Sequence, residues 1–188
     1  MAAFAASNLD EDVVQRWRRT TLADGNNMLK IRPATKDDHA PIWSIIGPVI
    51  REGETYTLPR DMDEAKAVRY WTGPDRRTFV AEENGVIVGT YYIRANQLGG
   101  GSHVANCGYM TRADARHKGV ARAMCEHSLT EARRCGFRAM QFNFVVSTNE
   151  RAVRLWQDLK FREVGRLPAA FQRPNGAYAD ALVMFRDL

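Results

Sequence analysis

The sequence predicts an α/β (α+β) fold, with a mixed, mostly antiparallel sheet of about six to eight strands and helices on both faces. Three observations predict it. Strand-like segments at residues 78–82 and 86–94, joined through Asn84-Gly85, indicate a β-hairpin. Between residues 102 and 146, a strand, a long helical segment and a buried strand follow one another, which indicates one parallel crossover. A second strand pair, turning at Pro174-Asn175-Gly176, closes the sheet.

The elements before the first hairpin follow from local patterning. Residues 29–32 alternate like a short strand. A capping signal at Thr35 predicts that a helix begins there, and Pro48 would interrupt the hydrogen bonds of that helix. Asp61–Trp71 fits a second helix, because its first residue stands at capping-box spacing from Glu64.

After the hairpin, apolar periodicity and turn residues predict the remaining elements. In chain order they are the strand Ser102–Thr111, the helix Gly119–Arg134 ended by Gly136, the strand Ala139–Val146, the helix Asn149–Leu159 capped from Ser147, and strands near Phe161–Arg166 and Ala181–Arg186.

Length and composition predict a single soluble domain. The 188 residues, 45% hydrophobic and 26% charged, suit one core over residues 28–188, with residues 1–27 as an N-terminal extension carrying a short helix. That extension could pack on a partner subunit in a homodimer, or dock loosely. No apolar run could cross a membrane, no targeting peptide is recognisable, and the three cysteines lack metal or disulfide spacing. We therefore expect a cytoplasmic protein without a metal.

Two asparagines interrupt strands that should be apolar. The central strands of a sheet covered on both faces read as nearly continuous apolar runs, so Asn106 and Asn143 need partners or a function. Strict alternation in Ala139–Val146 puts Phe144 on one face with the other large apolar residues, and Gln141 with Asn143 on the opposite face. We expect that second face to line a polar cleft, although each asparagine could instead be satisfied by a neighbouring loop or bulge.

The net charge of +5 is concentrated near one turn. Arg116, Lys118 and Arg122 surround Gly119, between a predicted strand and a predicted helix. The free N–H groups and dipole of a helix N-terminus attract phosphate oxygens, and glycine allows close backbone approach. This arrangement favours a compact anion over nucleic acid, since aromatic residues do not alternate with the basic ones. A basic helix start with an ordinary glycine is the alternative.

The turn and a second motif together resemble a known family. Arg116-His117-Lys118-Gly119-Val120-Ala121 matches the hallmark Q/R-x-x-G-x-G/A of the GNAT superfamily of acyl-CoA N-acyltransferases. Asn149-Glu150-Arg151-Ala152-Val153-Arg154-Leu155-Trp156, followed by Phe161, is similar to its N-x-x-A-x-x-L-Y-x-x-x-G-F pattern. The resemblance covers about Leu29–Leu188. It implies a splayed parallel strand pair at a CoA cleft, acetyl-CoA as cosubstrate, and direct attack by an acceptor amine.

The resemblance also implies the residues that contact CoA. They are Tyr109, Met110 and Thr111 for pantetheine, and Arg116, His117, Lys118, Gly119, Val120, Ala121 and Arg122 for the pyrophosphate. Asn149 and Trp156 are two further residues that the resemblance implies in contact with CoA. Trp156 departs from the family pattern, because it replaces a tyrosine thought to protonate the departing thiolate. Asn149 could stabilise that thiolate instead, or serve only as a helix cap. Glu82, Glu83 or His103 could act as the base, or no base is needed.

The subfamily resemblance rests on a set of single positions and one segment. They look most like the fungal branch that acetylates azetidine-2-carboxylate and other proline analogues, and they are Asn106, Tyr109, Asn143, Phe144 and Asn149, with the segment from Phe171 to Asp180. This implies that Asn106 and the main chain of Asn143 and Phe144 recognise an amino-acid carboxylate. Asn106 and Asn149 would be the catalytic residues, acting on a small-molecule amine. Acetylation of protein N-termini or lysines, and a non-catalytic acyl-CoA-binding regulator, remain alternatives.

Overall fold

The computed structural model describes residues 29–188. The strands are β1 (Leu29–Pro33), β2 (Arg76–Glu83), β3 (Val86–Ala95), β4 (Val104–Thr111), β5 (Ala139–Val146), β6 (Arg162–Gln172) and β7 (Tyr178–Asp187). The helices are α1 (His39–Glu52, with Pro48 inside it), α2 (Glu64–Trp71), α3 (Val120–Arg134) and α4 (Glu150–Asp158). The predicted N-terminal extension, its helix and the homodimer contact placed on it lie outside the described residues.

The seven strands form one sheet in the order β1-β2-β3-β4-β5-β7-β6. Every pairing is antiparallel except that of β4 with β5, which join through Val104 with Ala139 and Ala105 with Met140. The first hairpin turns at Asn84-Gly85, whose φ angles of 52° and 78° are the left-handed backbone that this pair adopts readily. The predicted mixed sheet, hairpin and parallel crossover are confirmed.

Helices cover both faces of the sheet, as predicted. On one face, α3 buries Met124 and Leu129 against the central strands. On the other, α1 and α2 bury Ile46 and Trp71, and the indole N–H of Trp71 donates to Thr90 Oγ1 at 2.9 Å. Both layers are closed over the middle of the sheet, so access to its centre must come between strands.

Two helices begin at caps two residues after the capping-box residues predicted for them, and a capping role for Asn149 was one of the predicted alternatives. Asp63 caps α2, where its Oδ1 accepts a hydrogen bond from a first-turn amide at 2.8 Å. The predicted cap, Asp61, lies in the turn before it. Asn149 caps α4. The predicted cap, Ser147, still continues the strand pairing, because its N–H donates to Asp180 O at 2.9 Å.

An ion pair ties the start of α1 to β1. Asp38 accepts hydrogen bonds from both terminal nitrogens of Arg32, at 2.7 and 2.9 Å, and from Thr35 N at 2.7 Å. Its side chain is only 7% exposed. The hydrogen bonds from Arg32, more than any other contact, lower the pKa of Asp38 to about 2.

We expect the free energy of unfolding to fall as the pH drops from about 4 to about 2. The pKa of Asp38 is lower in the folded chain, so its stabilisation is present above the unfolded value and is lost below it. Asp38→Asn should lose roughly 2 kcal/mol at neutral pH and be less sensitive to acid. Urea unfolding across this range tests the prediction, with Asp37→Asn at the exposed neighbour as control. Equal acid sensitivity of the two variants would contradict it.

Candidate active site

β4 and β5 separate after two residue pairs. No pairing between them follows Ala105 and Met140, whereas β4 stays paired with β3 as far as Thr111, opposite Gly89. One edge of β4 is therefore open from Asn106 onward. The space between the two strands is the predicted splayed pair, and it is called the cleft below.

Alternate main-chain groups of β4 point into the cleft. At the two ends of the β3–β4 pairing, Asn96 N donates to Val104 O at 2.8 Å and Arg112 N donates to Val88 O at 2.9 Å. On the β4 side, the residues that form these two bonds, Val104 and Arg112, are even-numbered. Because every second residue of an antiparallel strand bonds to a given neighbour, the odd-numbered residues of β4 direct their N–H and C=O groups toward the cleft.

Two of the three predicted pantetheine contacts, Tyr109 and Thr111, thus have main-chain groups in the cleft. Met110 does not, because its main chain pairs with β3 and its side chain is buried under α1 and α2. The carbonyl of Tyr109 accepts a hydrogen bond from Tyr56 Oη at 2.9 Å. Tyr56 was not predicted as a site residue: it lies in the loop after α1 and belongs to no motif.

The turn between β4 and α3 holds an open anion site. Gly119 precedes α3 with φ of 82°, and His117 has φ of 69°. No side chain caps α3 and its first turn has no acidic residue, so its first N–H groups and its dipole are available to an anion. A Cβ at Gly119 would meet no atom within 4 Å. The predicted positions from Arg116 to Arg122 therefore meet at one helix N-terminus that is open to solvent beside Gly119.

The arginines beside this turn have acidic partners. Arg116 lies 3.5 Å from Glu52, and Arg122 lies 2.9 Å from Asp158. Each arginine side chain is more than 40% exposed, and ion pairs this exposed contribute little to stability. Both side chains can therefore turn to a bound phosphate at small cost.

The start of α4 lies beside the anion site. A pocket of about 500 Å³ is lined by Thr148, Asn149 and Arg151, among others, and Arg151 Nη1 lies 2.8 Å from His117 Nε2. Asn149 Oδ1 accepts a hydrogen bond from Ala152 N at 3.3 Å. This bond uses the oxygen of the Asn149 amide, so the group that Asn149 can offer to a ligand is the Nδ2 donor.

A chain of amides closes the end of the cleft where β4 and β5 meet. Asn106 Nδ2 donates to Gln141 O at 2.8 Å. Gln141 Nε2 donates to Asn143 Oδ1 at 2.8 Å, and Asn143 Nδ2 donates to Asn96 Oδ1 at 2.6 Å. The predicted polar face is present, but both predicted asparagines have protein partners. Gln141 shares their face, whereas Asn96 comes from the β3–β4 loop and carried no sequence signal.

A bulge in β5 corrects the predicted alternation. The β5–β7 register shifts between Phe142 and Val145, and an extra residue reverses which face the following side chains occupy. Phe144 accordingly packs near Phe171, apart from the core that holds Phe142. The prediction of one shared face for Phe142 and Phe144 was therefore wrong. The main chains of Asn143 and Phe144 stand outside the β5–β7 pairing.

Residues 40–161 match the Acetyltransferase (GNAT) family model. The chain belongs to the GNAT acetyltransferase family. The matched span includes the anion site, the cleft and the cap of α4, which are the features that carried the predicted resemblance.

Known proteins similar to this GNAT chain agree with the assignment. A GCN5-related N-acetyltransferase from Kribbella flavida is 40% identical with a TM-score of 0.81, over 85% of this chain and 98% of that one. N-acetyltransferase aca1 from Schizosaccharomyces pombe is 32% identical over 111 residues, 58% of this chain and 53% of the relative. The chain thus spans about half the length of this curated relative. The fold is shared with yncA from Salmonella typhimurium, a putative acetyltransferase with its cofactor acetyl-CoA, at 24% identity and TM-score 0.76, over 85% and 94% of the two chains.

These matches confirm the predicted GNAT acetyltransferase family and its mixed sheet. The relative from fission yeast is consistent with the predicted fungal branch.

Trp156, the main departure from the family pattern, is part of the core of this GNAT protein. It is buried, and its ring centroid lies 5.2 Å from that of Tyr109 and 5.0 Å from that of Phe142. An indole N–H has no useful acidity near neutral pH. The Trp156 side chain therefore packs against Tyr109 of β4 and supplies no proton.

Trp156→Phe should leave kcat within about threefold of wild type and cost roughly 1–2 kcal/mol of stability. The smaller ring keeps the aromatic contacts with Tyr109 and Phe142, and the lost N–H has no chemical role. Steady-state rates and urea unfolding measure the two effects, with Trp43→Phe on α1 as control. A loss of more than 30-fold in kcat with unchanged stability would show that the indole N–H takes part in the reaction.

The candidate bases do not reach the cleft. Glu82 binds Arg32 at 3.0 Å, and β3 separates it and Glu83, both on β2, from β4. His103 Nδ1 lies 3.1 Å from Gly100 O, before the paired start of β4.

Within residues 29–188, no group of three His, Cys, Asp or Glu side chains could hold a metal ion. No helix in this part of the chain has the length and apolarity needed to span a membrane.

Proposed function

We propose that this GNAT protein transfers acetyl from acetyl-CoA to the amine of a small molecule, an amino acid or proline analogue, by direct attack in a ternary complex. The observation that carries the proposal is the cleft. The open edge of β4 that lines the cleft runs from the anion site before α3 to the amide chain at Asn106. One channel therefore connects a site suited to the pyrophosphate of acetyl-CoA with a polar site suited to the acceptor.

The donor half of the site consists of the uncapped start of α3 and the cleft-facing main chain of β4. Pyrophosphate binds the amides of residues 117–122, and pantetheine pairs with the main chain of Tyr109 and Thr111. When the neutral acceptor nitrogen bonds to the acetyl carbon, the C–S bond breaks and negative charge collects on sulfur. The proton that the nitrogen loses passes to solvent, and the thiolate takes up a proton to leave as the free thiol of CoA. Asn149 Nδ2 donates to that sulfur. A donor aimed at developing charge lowers the barrier, because it needs no reorganisation during the step.

The acceptor half is built around the bulge in β5. The side chains of Asn106 and Asn143 hold the cleft open through their bonds to Gln141 and Asn96. The main chains of Asn143 and Phe144, outside the β5–β7 pairing, bind the acceptor carboxylate. The reaction takes place in the cytoplasm, where the free cysteines, among them the buried Cys107 and Cys125, stay reduced.

The test is thiol release from acetyl-CoA in the presence of an acceptor panel. The panel contains L-proline, azetidine-2-carboxylate, primary amino acids, peptides with free N-termini and a lysine peptide with a blocked N-terminus. We expect release with the amino acids and background rates with the peptides. Release with peptides alone would indicate a protein acetyltransferase. Tight CoA binding by calorimetry with no release from any amine would indicate a regulator.

A further inference from the structure

A second pocket lies on the acceptor side of the sheet. It has a volume of about 390 Å³ and lies between the loop after α1 and the β6–β7 hairpin, within the range of small-ligand sites. Tyr56, Leu58 and Phe171 give it apolar walls, and its charged lining residues are Arg60 and Arg173. No acidic residue is among the described residues that line it, and Glu54 pairs with Arg173 at its edge, so the two arginines leave a net positive charge that favours an anionic group.

The inner end of the pocket touches the cleft through Tyr56. The Tyr56 hydroxyl donates its one hydrogen to Tyr109 O at 2.9 Å, a carbonyl that points into the cleft. Burial raises the pKa of Tyr56 well above its usual value, so the hydroxyl stays protonated. With its hydrogen committed, the oxygen can only accept a hydrogen bond. It therefore suits an N–H group, such as that of an amine, and does not suit a carbonyl or a carboxylate.

The outer end is marked by Arg173. Its Nε donates to Glu54 Oε2 at 2.9 Å, joining the hairpin to the loop after α1. The two side chains are 34% and 40% exposed, so the pair contributes little to stability. The bond uses one donor of the guanidinium, and the planar fork retains others that match a carboxylate. The hairpin turn holds the Arg173 main chain in place, through Arg173 N donating to Ala177 O at 2.8 Å.

The pocket also adjoins the bulge. The ring of Phe171, two residues before Arg173, lies 6.2 Å from that of Phe144. Arg173 thus stands on the same side of the site as the main-chain groups of Asn143 and Phe144. Those groups are neutral, and Arg173 supplies the charge that they lack.

We propose that this pocket binds an α-amino acid in one orientation, with Tyr56 Oη accepting a hydrogen bond from the amine and Arg173 pairing with the carboxylate. The inference rests on the proposed function and names two specificity-determining residues for it. It places the amine beside the open edge of β4 and the carboxylate at the mouth of the pocket.

L-proline and L-prolinamide, which differ at the carboxyl group alone, test the role of Arg173. Arg173→Gln should raise the KM for L-proline at least about tenfold and leave the KM values for L-prolinamide and acetyl-CoA unchanged. Arg162→Gln, an exposed arginine on β6 paired with Asp187 at 3.2 Å, is the matched control and should change none of them. A rise in KM that is equal for both acceptors in Arg173→Gln would overturn the assignment.

Tyr56→Phe tests the other end. Both acceptors carry the same amine, so this variant should lower kcat/KM about tenfold for both, while the KM for acetyl-CoA and the melting temperature stay near wild type. Tyr70→Phe, on α2, is the control. Wild-type rates in Tyr56→Phe would overturn the assignment of its oxygen.

Binding separates failure of the subsite from failure of the proposed function. If no amine is acetylated, the proposed function fails. The subsite then still predicts that millimolar L-proline raises the melting temperature of wild type and not that of Arg173→Gln. No shift in wild type overturns the subsite as well.

Discussion

Asn149→Asp should lower kcat at least about 100-fold and leave the melting temperature unchanged. The Asn149 amide has two separate tasks in the structure. Its oxygen caps α4 by accepting from Ala152 N, and its nitrogen is the donor that we propose for the thioester sulfur. Aspartate caps a helix as well as asparagine does and agrees with the helix dipole. It has no donor, however, and its charge opposes the thiolate.

Single-turnover acetyl transfer and thermal unfolding of Asn149→Asp measure these two tasks separately. Glu150→Gln changes an exposed carboxylate at the next position, one that pairs with Arg154, and should keep full activity. Asn149→Ala should lose both the rate and about 1 kcal/mol of stability. If Asn149→Asp retained kcat within threefold, Asn149 would be a cap and nothing more.

Ala121→Glu should weaken acetyl-CoA binding at least about 30-fold, because it places a carboxylate in the first turn of α3, the proposed site of the pyrophosphate. Ala121 is partly exposed, so the longer side chain can be accommodated. A free helix N-terminus favours an acidic residue in its first turn. The melting temperature without ligand should therefore stay the same or rise slightly. Loss of affinity with gain of stability distinguishes this effect from misfolding.

The control for charge is Ala121→Gln, which has nearly the same shape without the charge. Its affinity for acetyl-CoA, measured by calorimetry, should fall no more than about threefold. If Ala121→Gln and Ala121→Glu weakened binding equally, bulk would be the cause. Unchanged affinity in Ala121→Glu would show that the turn is not the place of the pyrophosphate.

Features governed by local backbone chemistry could be predicted from the sequence. Asn84-Gly85 both adopt positive φ, and few other residue pairs do so readily, so the hairpin followed. Gly119 likewise marked an uncapped helix start next to basic residues. Local patterns failed where two residues could each cap a helix. Asn149 rather than Ser147 caps α4, because the main-chain N–H of Ser147 still pairs with Asp180. Asp63 rather than Asp61 caps α2, and Asp61 lies in the turn before the helix.

Features that depend on pairing between distant strands could not be predicted. The bulge that places Phe144 and Phe142 on different faces is a property of the β5–β7 register. No residue type within Ala139–Val146 predicts it. Tyr56 and Arg173 are ordinary loop residues in sequence. Only the folded chain brings the first to the carbonyl of Tyr109 and the second to Glu54, 119 positions away.

The Asn106 side chain ends the parallel pairing of β4 with β5. Its Nδ2 binds Gln141 O at the position where the next pair of residues would join. One amide thus acts as a spacer between the two strands, and in the proposed ternary complex its place along β4 sets how far the thioester reaches before it meets the acceptor. Moving that amide by one pair of residues would shift the reaction centre along the sheet while the rest of the fold stayed the same.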